Sequence, residues 1–425
     1  MPTFTALTIY FLYLLSWLVS AGHCCSFHND RGHANIDHQS ITRANTAARS
    51  AGTRCSTART GRRFALKNVR IFDGTSLHPH NSTVIVDAAA ATSPNTITTY
   101  DGQGMTLLPG LIDSHAHLLS TIHLAELTRF GVTTAVNAFC PDPALCASLR
   151  NHTGLTAVVT ASFMATSPNS THAKLVGPEN AGLLIRDISQ AAAFVRSQVA
   201  QPWRADFIKV IGSAPGPGLT QAAQAALVKA AHAAGRRVVL HAAYAEGLAA
   251  GVEQIHHAPL DVPANDRLVD MFRGKRKKTG RAVAVCPTLT MMRATVLEMQ
   301  RGRTMSNSSL SFAAANETVA RLHAAGVSIL AGTDANLQPA VPARVPFGSS
   351  IHDELEHLVA AGLSPVEALN AATVVPARSF GLHDRGVIRE GMLADLVLVD
   401  GDPTVNITAS RNIVRVWVRG VEWKS

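Results

Sequence analysis

The sequence contains few aromatic and few charged residues, and the low aromatic content argues against a nucleic-acid partner. Phe, Trp and Tyr make up 5% of the 425 residues, and charged residues make up 16%. With so few aromatic rings to stack on bases, we expect no nucleic-acid partner. The formal charge of +9 does not alter this, because seven Arg and two Asp between Phe27 and Arg63 contribute +5 of it. The 47% of hydrophobic residues excludes a fully disordered chain and allows a large buried core.

The chain also lacks an uninterrupted run of about 18 apolar residues, so we expect no stable membrane span. Residues 8–19 (TIYFLYLLSWLV) form a shorter apolar run, of the length typical of a signal-peptide core. We therefore expect residues 1–21 to be a signal peptide and the protein to be secreted, with vacuolar delivery as an alternative. No Lys or Arg precedes the run, so a signal anchor is a further alternative. A secreted chain would offer six candidate glycosylation sites, at Asn81, Asn151, Asn169, Asn307, Asn316 and Asn406.

No Cys-x-x-Cys pair is present, so the sequence carries no cysteine-based zinc motif of that kind. Cys140 and Cys146 lie in FCPDPALC, where they form either a disulfide or two free thiols. Cys286 lies in an apolar run, which predicts a core position. Residues 22–63 are rich in Ala, Arg, Thr and Ser without a hydrophobic period, which predicts a disordered linker or pro-segment.

From Phe64 onward the pattern is that of a folded α/β protein. Short, continuous apolar runs, typical of buried parallel strands, alternate with Ala-rich helical runs. Eight such repeats favour a (β/α)₈ TIM barrel over 107–385. A doubly wound sheet is the alternative, but its Gly-rich phosphate loop is missing after the first strand. Residues 64–106 and 386–425 read as strands and are expected to form a small β-sandwich. The barrel strands are predicted at 107–115, 132–138, 156–162, 206–212, 237–242, 253–257, 282–287 and 327–334.

Metal-binding residue types stand at the ends of several predicted strands. His115 and His117 end the first strand, and their i, i+2 spacing puts both side chains on one face. Lys209 lies inside the fourth strand, where a charged ammonium would be costly. Because the carboxyl ends of barrel strands meet at one face, we expect a metal site there. Its remaining residues are His241, His257 and Asp334, at the ends of strands 5, 6 and 8.

With these residues in place, the chain resembles the amidohydrolase superfamily of metal-dependent hydrolases. The resemblance covers about residues 67–422 and is strongest in TLLPGLIDSHAHL (106–118), GVEQIHHA (251–258) and GVSILAGTDA (326–335). It is closest to the imidazolonepropionase-like branch whose fourth strand carries a lysine. That branch includes dipeptidases and other amide-cleaving enzymes, among them secreted fungal ones.

The resemblance implies a site with two divalent metal ions, for which zinc is the first expectation. His115, His117 and Asp334 would hold the more buried ion, and His241 and His257 the other. Lys209 would be carboxylated on Nζ and would bridge both ions. A metal-bound hydroxide would attack the carbonyl carbon, and Asp334 would carry the proton to the leaving nitrogen.

Three further positions are weighed against this pattern. The branch usually has Glu before the histidine of strand 6, but this chain has His256. His256 is either an extra outer-shell donor or, as we expect, points away from the site. Tyr244 either hydrogen-bonds a substrate carbonyl or packs in the wall of the site. His352 and Glu354 match the family helix after strand 8 and are expected to support the site structurally.

The sequence therefore predicts a secreted binuclear hydrolase that cleaves a C–N amide bond in a small molecule. Its substrate would be a dipeptide, an N-acyl amino acid or a toxin-like amide. Cyclic-amide hydrolysis, deamination, ester hydrolysis and decarboxylation are alternatives on the same fold. A non-catalytic binding protein is disfavoured, because all six ligand positions are filled.

Overall fold

The structure is a computed structural model that describes residues 63–87, 97–168, 170–176, 178–212, 218–242, 244–279, 282–303, 310–338 and 341–424. The predicted signal peptide, nearly all of the predicted linker and the sequons at Asn169 and Asn307 lie outside these residues. No helix in the described ranges has the length and apolar character of a membrane span. Fifteen strands are described: β1 (Phe64–Phe72), β2 (Leu77–Val86), β3 (Thr98–Asp101), β4 (Thr106–Pro109), β5 (Leu111–Ala116), β6 (Val132–Asn137), β7 (Ala157–Thr160), β8 (Ile208–Ile211), β9 (Val238–His241), β10 (Gln254–His256), β11 (Ala284–Cys286), β12 (Ser328–Ile329), β13 (Leu396–Val399), β14 (Ile413–Val418) and β15 (Val421–Glu422).

Helices connect the strands from β5 to β12, and further helices lie between β12 and β13. The helix Gln221–Ala233 shows how they are specified: Thr220 caps its first turn by accepting from the amide of Ala223, and Gly235 follows its end with a φ of 66°. The α-helices are Thr121–Arg129, Pro143–Ser148, Ala191–Val199, Gln221–Ala233, Tyr244–Ala250, Asp266–Thr279, Leu289–Gln300, Phe312–Ala324, Ser350–Ala360, Pro365–Ala371 and Val374–Phe380. Short 3₁₀ helices cover Thr171–Leu175, Pro178–Leu183, Ile188–Gln190 and Ile407–Arg411.

The strands β5 to β12 form two parallel sheets. One has the order β5-β6-β7, and the other has the order β12-β11-β10-β9-β8. Isolated parallel bridges lie at both edges where the sheets meet, Ala116 with Ala335 and Ala165 with Val210. The α/β class with parallel strands is thereby confirmed, and the arrangement is consistent with a TIM barrel. The carboxyl ends of all eight strands consequently face one side.

The segments before and after the parallel sheets combine into one further sheet. Its order is β15-β14-β13-β4-β1-β2, with β3 also paired to β1. Residues 107–115, predicted as one strand, are in fact two: β4 pairs antiparallel with β13, and β5 starts the parallel sheet. Gly110 separates them, and a Cβ at this position would overlap the side chain of Thr133. The chain can therefore pass directly from the flanking sheet into the parallel one.

Cys140 and Cys146 are joined by a disulfide. The bond closes the turn that leads into the helix Pro143–Ser148, whose first turn is capped by Asp142. Of the two alternatives that the sequence left open, the structure contains the disulfide. Cys286 is a buried free thiol in β11, as expected for a core residue.

Candidate metal centre

The end of β5 and the segment after β12 bring three predicted ligands together. Nε2 of His115 lies 3.3 Å from Nε2 of His117. Oδ1 of Asp334 lies 3.0 Å from Nε2 of His117 and 3.6 Å from Nε2 of His115. The backbone holds this approach, since the amide of Asp334 donates to the carbonyl of His115 and that of His117 to Ala335. Residues more than 200 positions apart in sequence thus share one site.

The ends of β9 and β10 add two imidazoles beside this group. The rings of His241 and His257 are 4.3 Å apart between centroids, and those of His115 and His257 are 4.6 Å apart. Nδ1 of His257 lies 3.7 Å from Oδ2 of Asp334. His115, His257 and Asp334 offer ligand atoms that all lie within 4.8 Å of one another.

Lys209, in the middle of β8, is buried among these imidazoles. Its side chain is 3% exposed, and its Nζ makes no hydrogen bond to any described residue. Burial lowers the pKa of Lys209 from its ordinary value of 10.5 to about 8, although Asp334 and Cys286 act in the opposite direction. An isolated buried ammonium is unfavourable, so a group that is not a protein side chain is the natural partner for this nitrogen.

The arrangement of donor atoms fits a divalent cation. Ligands at about 2.0–2.1 Å from a tetrahedral zinc are about 3.3 Å from each other. The three separations among His115, His117 and Asp334 are 3.0, 3.3 and 3.6 Å. The unpaired Nζ of Lys209 is a second, independent sign that a further group belongs here. Neither observation identifies the metal.

Burial and neighbouring charges favour the neutral form of three histidines of the site. Burial lowers the pKa values of His115, His241 and His257 well below 6.5, and the positive Lys209 and the neighbouring imidazoles lower them further. Neutral imidazole is the form that binds metals, because the ring nitrogen must offer a lone pair. The site is therefore ready to accept cations at neutral pH.

The backbone adopts an unusual conformation at two of the predicted ligands. His257 has a φ of 73° and Asp334 a φ of 56°, both in the left-handed region that non-glycine residues avoid. Such conformations cost of order 1–3 kcal/mol each and persist only where the surrounding structure enforces them. Other residues that follow parallel strands share this feature: Ser162, Ala242 and Thr288.

A buried carboxylate joins β5 to the segment after β12. Asp113 accepts hydrogen bonds from the amides of His115 and Thr333 and from the hydroxyl of Thr333. Gly332 permits the close approach, since a Cβ there would lie 2.9 Å from the amide nitrogen of His115 and would also overlap Sγ of Cys286. These contacts place Asp334 opposite His115 in β5 and His117 just after it.

His256 does not point away from the site, so this expectation is wrong. Its Nδ1 lies 2.7 Å from Nδ1 of His115, and it is fully buried. The expectation rested on strand alternation, which would put His256 and His257 on opposite faces. That alternation ends with β10, because the left-handed φ of His257 turns its side chain back towards the same site.

Thr288 contacts His257, and Glu354 caps the helix that follows Thr288. Oγ1 of Thr288 lies 2.9 Å from Nδ1 of His257, and Thr288 makes no side-chain cap to the helix Leu289–Gln300 that follows. Glu354 takes over the capping by accepting from the amides of Leu289 and Thr290. His352 lies 2.9 Å from Oγ of Ser410 through Nδ1 and is thereby tied to the C-terminal segment. Both positions have the structural role expected of them.

Tyr244 is buried in the wall beside His257. Its hydroxyl donates to the carbonyl oxygen of His257 at 3.0 Å, and burial raises the pKa of this phenol. This contact helps to hold the left-handed backbone of His257. Contact between Tyr244 and a substrate stays a prediction.

One imidazole of the site escaped the sequence reasoning. His172 lies in the 3₁₀ helix Thr171–Leu175, and its ring centroid is 4.4 Å from that of His241. Burial lowers the pKa of His172 to about 4, with contributions from Lys209 and His117. A single histidine outside the predicted strands carries no spacing signal, so only the folded chain shows that it reaches the site.

The candidate glycosylation sites differ in accessibility. Asn151 and Asn406 are exposed, whereas Asn316 is half-buried in the helix Phe312–Ala324 with its Oδ1 buried. Asn406 uses its side-chain oxygen to cap the 3₁₀ helix Ile407–Arg411. The surroundings of the Asn81 side chain are outside the description, and glycosylation itself stays a prediction.

Comparisons with known proteins identify the family and the fold. Residues 106–422 match the model of the "Amidohydrolase family". A solved Xaa-Pro dipeptidase with bound methionine is 20% identical with a TM-score of 0.72, covering 85% of this chain and 100% of that one. The A. niger ochratoxinase is 17% identical with a TM-score of 0.67, covering 86% of this chain and 96% of that one. At these identities the likeness shows the fold alone.

The curated relatives match only locally. "Adenine deaminase 2" of Desulfotalea psychrophila is 42% identical over 60 residues, which are 14% of this chain and 9% of that protein. The adenine deaminase of Sinorhizobium fredii is 39% identical over 61 residues, 13% of this chain and 11% of that protein. The chain thus matches only about a tenth of the length of these curated relatives.

Proposed function

The chain belongs to the amidohydrolase family, and from this premise we propose that it is a secreted, binuclear metal-dependent hydrolase that cleaves a C–N amide bond of a small molecule. The observation that carries the proposal is the close approach of ligand atoms of His115, His257 and Asp334, and the buried, unpaired Nζ of Lys209 supports it. We further propose that the two parallel sheets form a (β/α)₈ barrel, whose C-terminal face carries the site.

The proposed metal ligands are those expected from the sequence: His115, His117, His241, His257 and Asp334, with Lys209 carboxylated on Nζ. Zinc suits neutral imidazole and carboxylate ligands, although other divalent metals also bind them. When bound, the two ions would supply a water of lowered pKa and polarise the carbonyl of the substrate. The lowered pKa of Lys209 favours carboxylation, since the neutral amine is the form that adds carbon dioxide.

Asp334 is the proposed proton carrier. Its side chain is 14% exposed, whereas that of His115 is 1% exposed, so a substrate can approach Asp334 while its ligand atoms stay fixed. It would take a proton from the attacking water and deliver it to the leaving nitrogen. His172 lies at the rim beside His241, where its neutral ring can hydrogen-bond a substrate oxygen.

The substrate classes we propose are a dipeptide, an N-acyl amino acid or a toxin-like amide. Two structural neighbours, a Xaa-Pro dipeptidase and an ochratoxinase, support this proposal. Deamination is the second candidate, and the local match to adenine deaminases favours it. Secretion through a signal peptide at 1–21 and glycosylation belong to the same proposal.

The test is a substrate panel together with one variant. Dipeptides, N-acyl amino acids, cyclic amides, esters and adenine would be offered to the metal-loaded protein, and metal content would be measured by mass spectrometry. Asp334→Asn should lower kcat by about 100-fold or more, the usual size of a general acid–base contribution. Asp270→Asn, at an exposed position of the helix Asp266–Thr279, is the matched control. Turnover by Asp334→Asn at the wild-type rate would contradict the assigned role, and turnover of adenine alone would favour the second candidate.

A further inference from the structure

The proposed ligand set leaves one buried imidazole without a task. His256 is the last residue of β10, and its Nδ1 lies 2.7 Å from Nδ1 of His115. Its Nε2 lies 3.1 Å from Oε1 of Gln254, and Nε2 of Gln254 donates to the carbonyl oxygen of Ser379 at 3.2 Å. His115, His256 and Gln254 are all at most 1% exposed. A buried chain of hydrogen bonds therefore connects the carbonyl of Ser379 to His115, a predicted metal ligand.

The direction of each hydrogen bond in this row follows from its far end. The carbonyl of Ser379 can only accept, so the amide group of Gln254 must face it with its NH₂, and Oε1 must face His256. Oε1 can only accept in turn, so Nε2 of His256 carries a proton. A neutral His256 then has a lone pair on Nδ1, and it accepts from Nδ1–H of His115. The remaining nitrogen of His115, Nε2, is left with a lone pair.

We propose that His256 is a positioning residue that holds His115 in the Nδ1-protonated tautomer, with the Nε2 lone pair aimed at His117 and Asp334. In metal-binding histidines, the ring nitrogen that does not bind the metal commonly donates a hydrogen bond from its N–H to a fixed partner. This hydrogen bond sets the orientation and the tautomer of the ring. The consequence for metal binding rests on the proposed function. The order of protons follows from the hydrogen bonds alone.

Two substitutions separate this role from simple packing. His256→Asn keeps an acceptor oxygen close to the position of the imidazole Nδ1, although it removes part of the ring. His256→Leu fills more of the volume with apolar atoms but offers no acceptor to His115. A purely structural residue would tolerate Leu better than Asn in this buried place, whereas a positioning residue would show the reverse order for metal binding.

The first measurement is zinc affinity of the full-length protein, by competition with a chromophoric chelator. We expect His256→Leu to raise the zinc Kd by about 10–100-fold and His256→Asn to recover most of that loss. Thermal unfolding of the same samples should show that His256→Leu is at least as stable as His256→Asn. Equal zinc affinities in both variants, or tighter binding by His256→Leu, would overturn the proposal.

The second measurement does not need a functional metal site. In protein with ¹⁵N-labelled histidine and no added metal, long-range ¹H–¹⁵N spectra report which ring nitrogen of His115 carries the proton, with His115→Asn identifying the signal. We expect protonation at Nδ1 in the wild type and a mixture of tautomers in His256→Leu. Protonation at Nε2 in the wild type would refute the proposal. Protonation at Nδ1 in a protein that binds no zinc would instead uphold the proton order and reject the proposed metal-dependent function.

Discussion

Lys209 offers the sharpest test of the site, because the same burial that suits it to a metal centre should weaken the metal-free fold. Its side chain is 3% exposed, and its Nζ has no hydrogen-bond partner among the described residues. Replacing it by Met keeps the length of the side chain and removes the ammonium. We expect Lys209→Met to stabilise the metal-stripped protein and to impair metal binding at the same time.

The size of the stabilisation follows from the pKa of Lys209, which burial lowers from 10.5 to about 8. Each change of one in pKa corresponds to about 1.4 kcal/mol, so keeping the ammonium buried costs on the order of 3 kcal/mol. The folded pKa lies below the unfolded one. The cost is therefore fully present below about pH 8 and disappears as the pH rises through 8 to 10.5. Between pH 7 and pH 9.5 the advantage of Lys209→Met should shrink by about 2 kcal/mol.

The assay is denaturant unfolding of metal-stripped protein at pH 7 and pH 9.5, with metal content measured separately on reconstituted samples. Lys229→Met, at an exposed position of the helix Gln221–Ala233, controls for the general effect of losing a lysine. Lys209→Met should retain one metal or none where the wild type holds about two. An advantage of Lys209→Met that does not fall with pH would refute the burial argument. An unchanged metal content would refute the bridging role.

Three further predictions concern the scaffold of the site. Gly332→Ala should cost about 1–3 kcal/mol of stability and reduce bound metal, because its Cβ would press on the amide of His115; Gly274→Ala, where a Cβ meets no neighbour, is the control, and equal metal content in both would contradict the close-approach argument. Glu354→Gln should lower the free energy of unfolding by about 1–3 kcal/mol, measured by denaturant titration, because one oxygen must replace the two that accept from Leu289 and Thr290; unchanged stability would mean that these bonds contribute nothing. Opening the disulfide by Cys146→Ser should cost about 2 kcal/mol for so short a loop, and a wild-type Tm would show that the bond is not formed in the protein.

The ligand set could be predicted from the sequence because parallel strands place their carboxyl ends at the same edge of a sheet, whatever the sequences of the loops. His115, His117, Lys209, His241, His257 and Asp334 were each named from a position at or within a predicted strand. In the structure the histidines and Asp334 lie beside one another in pairs, and the Nζ of Lys209 is buried and unpaired. The same reasoning failed one residue away, at His256. The relative orientation of the His256 and His257 side chains depends on a left-handed φ at His257. Residue type alone does not predict this backbone conformation. His172 lay outside any strand and therefore outside this logic.

What the sequence determined by itself is the alternation of buried strands and capped helices, since apolar period and capping residues act locally. It also determined which side chains can bind a metal, because that is a property of residue type. Tertiary structure alone decided that Gly110 divides the first strand between two sheets, that Cys140 meets Cys146, and that Glu354 caps a helix begun 65 residues earlier. It also decided that His115 faces His256, 141 residues away. These contacts join distant parts of the chain, and their geometry is set by packing and backbone turns that local pattern does not encode.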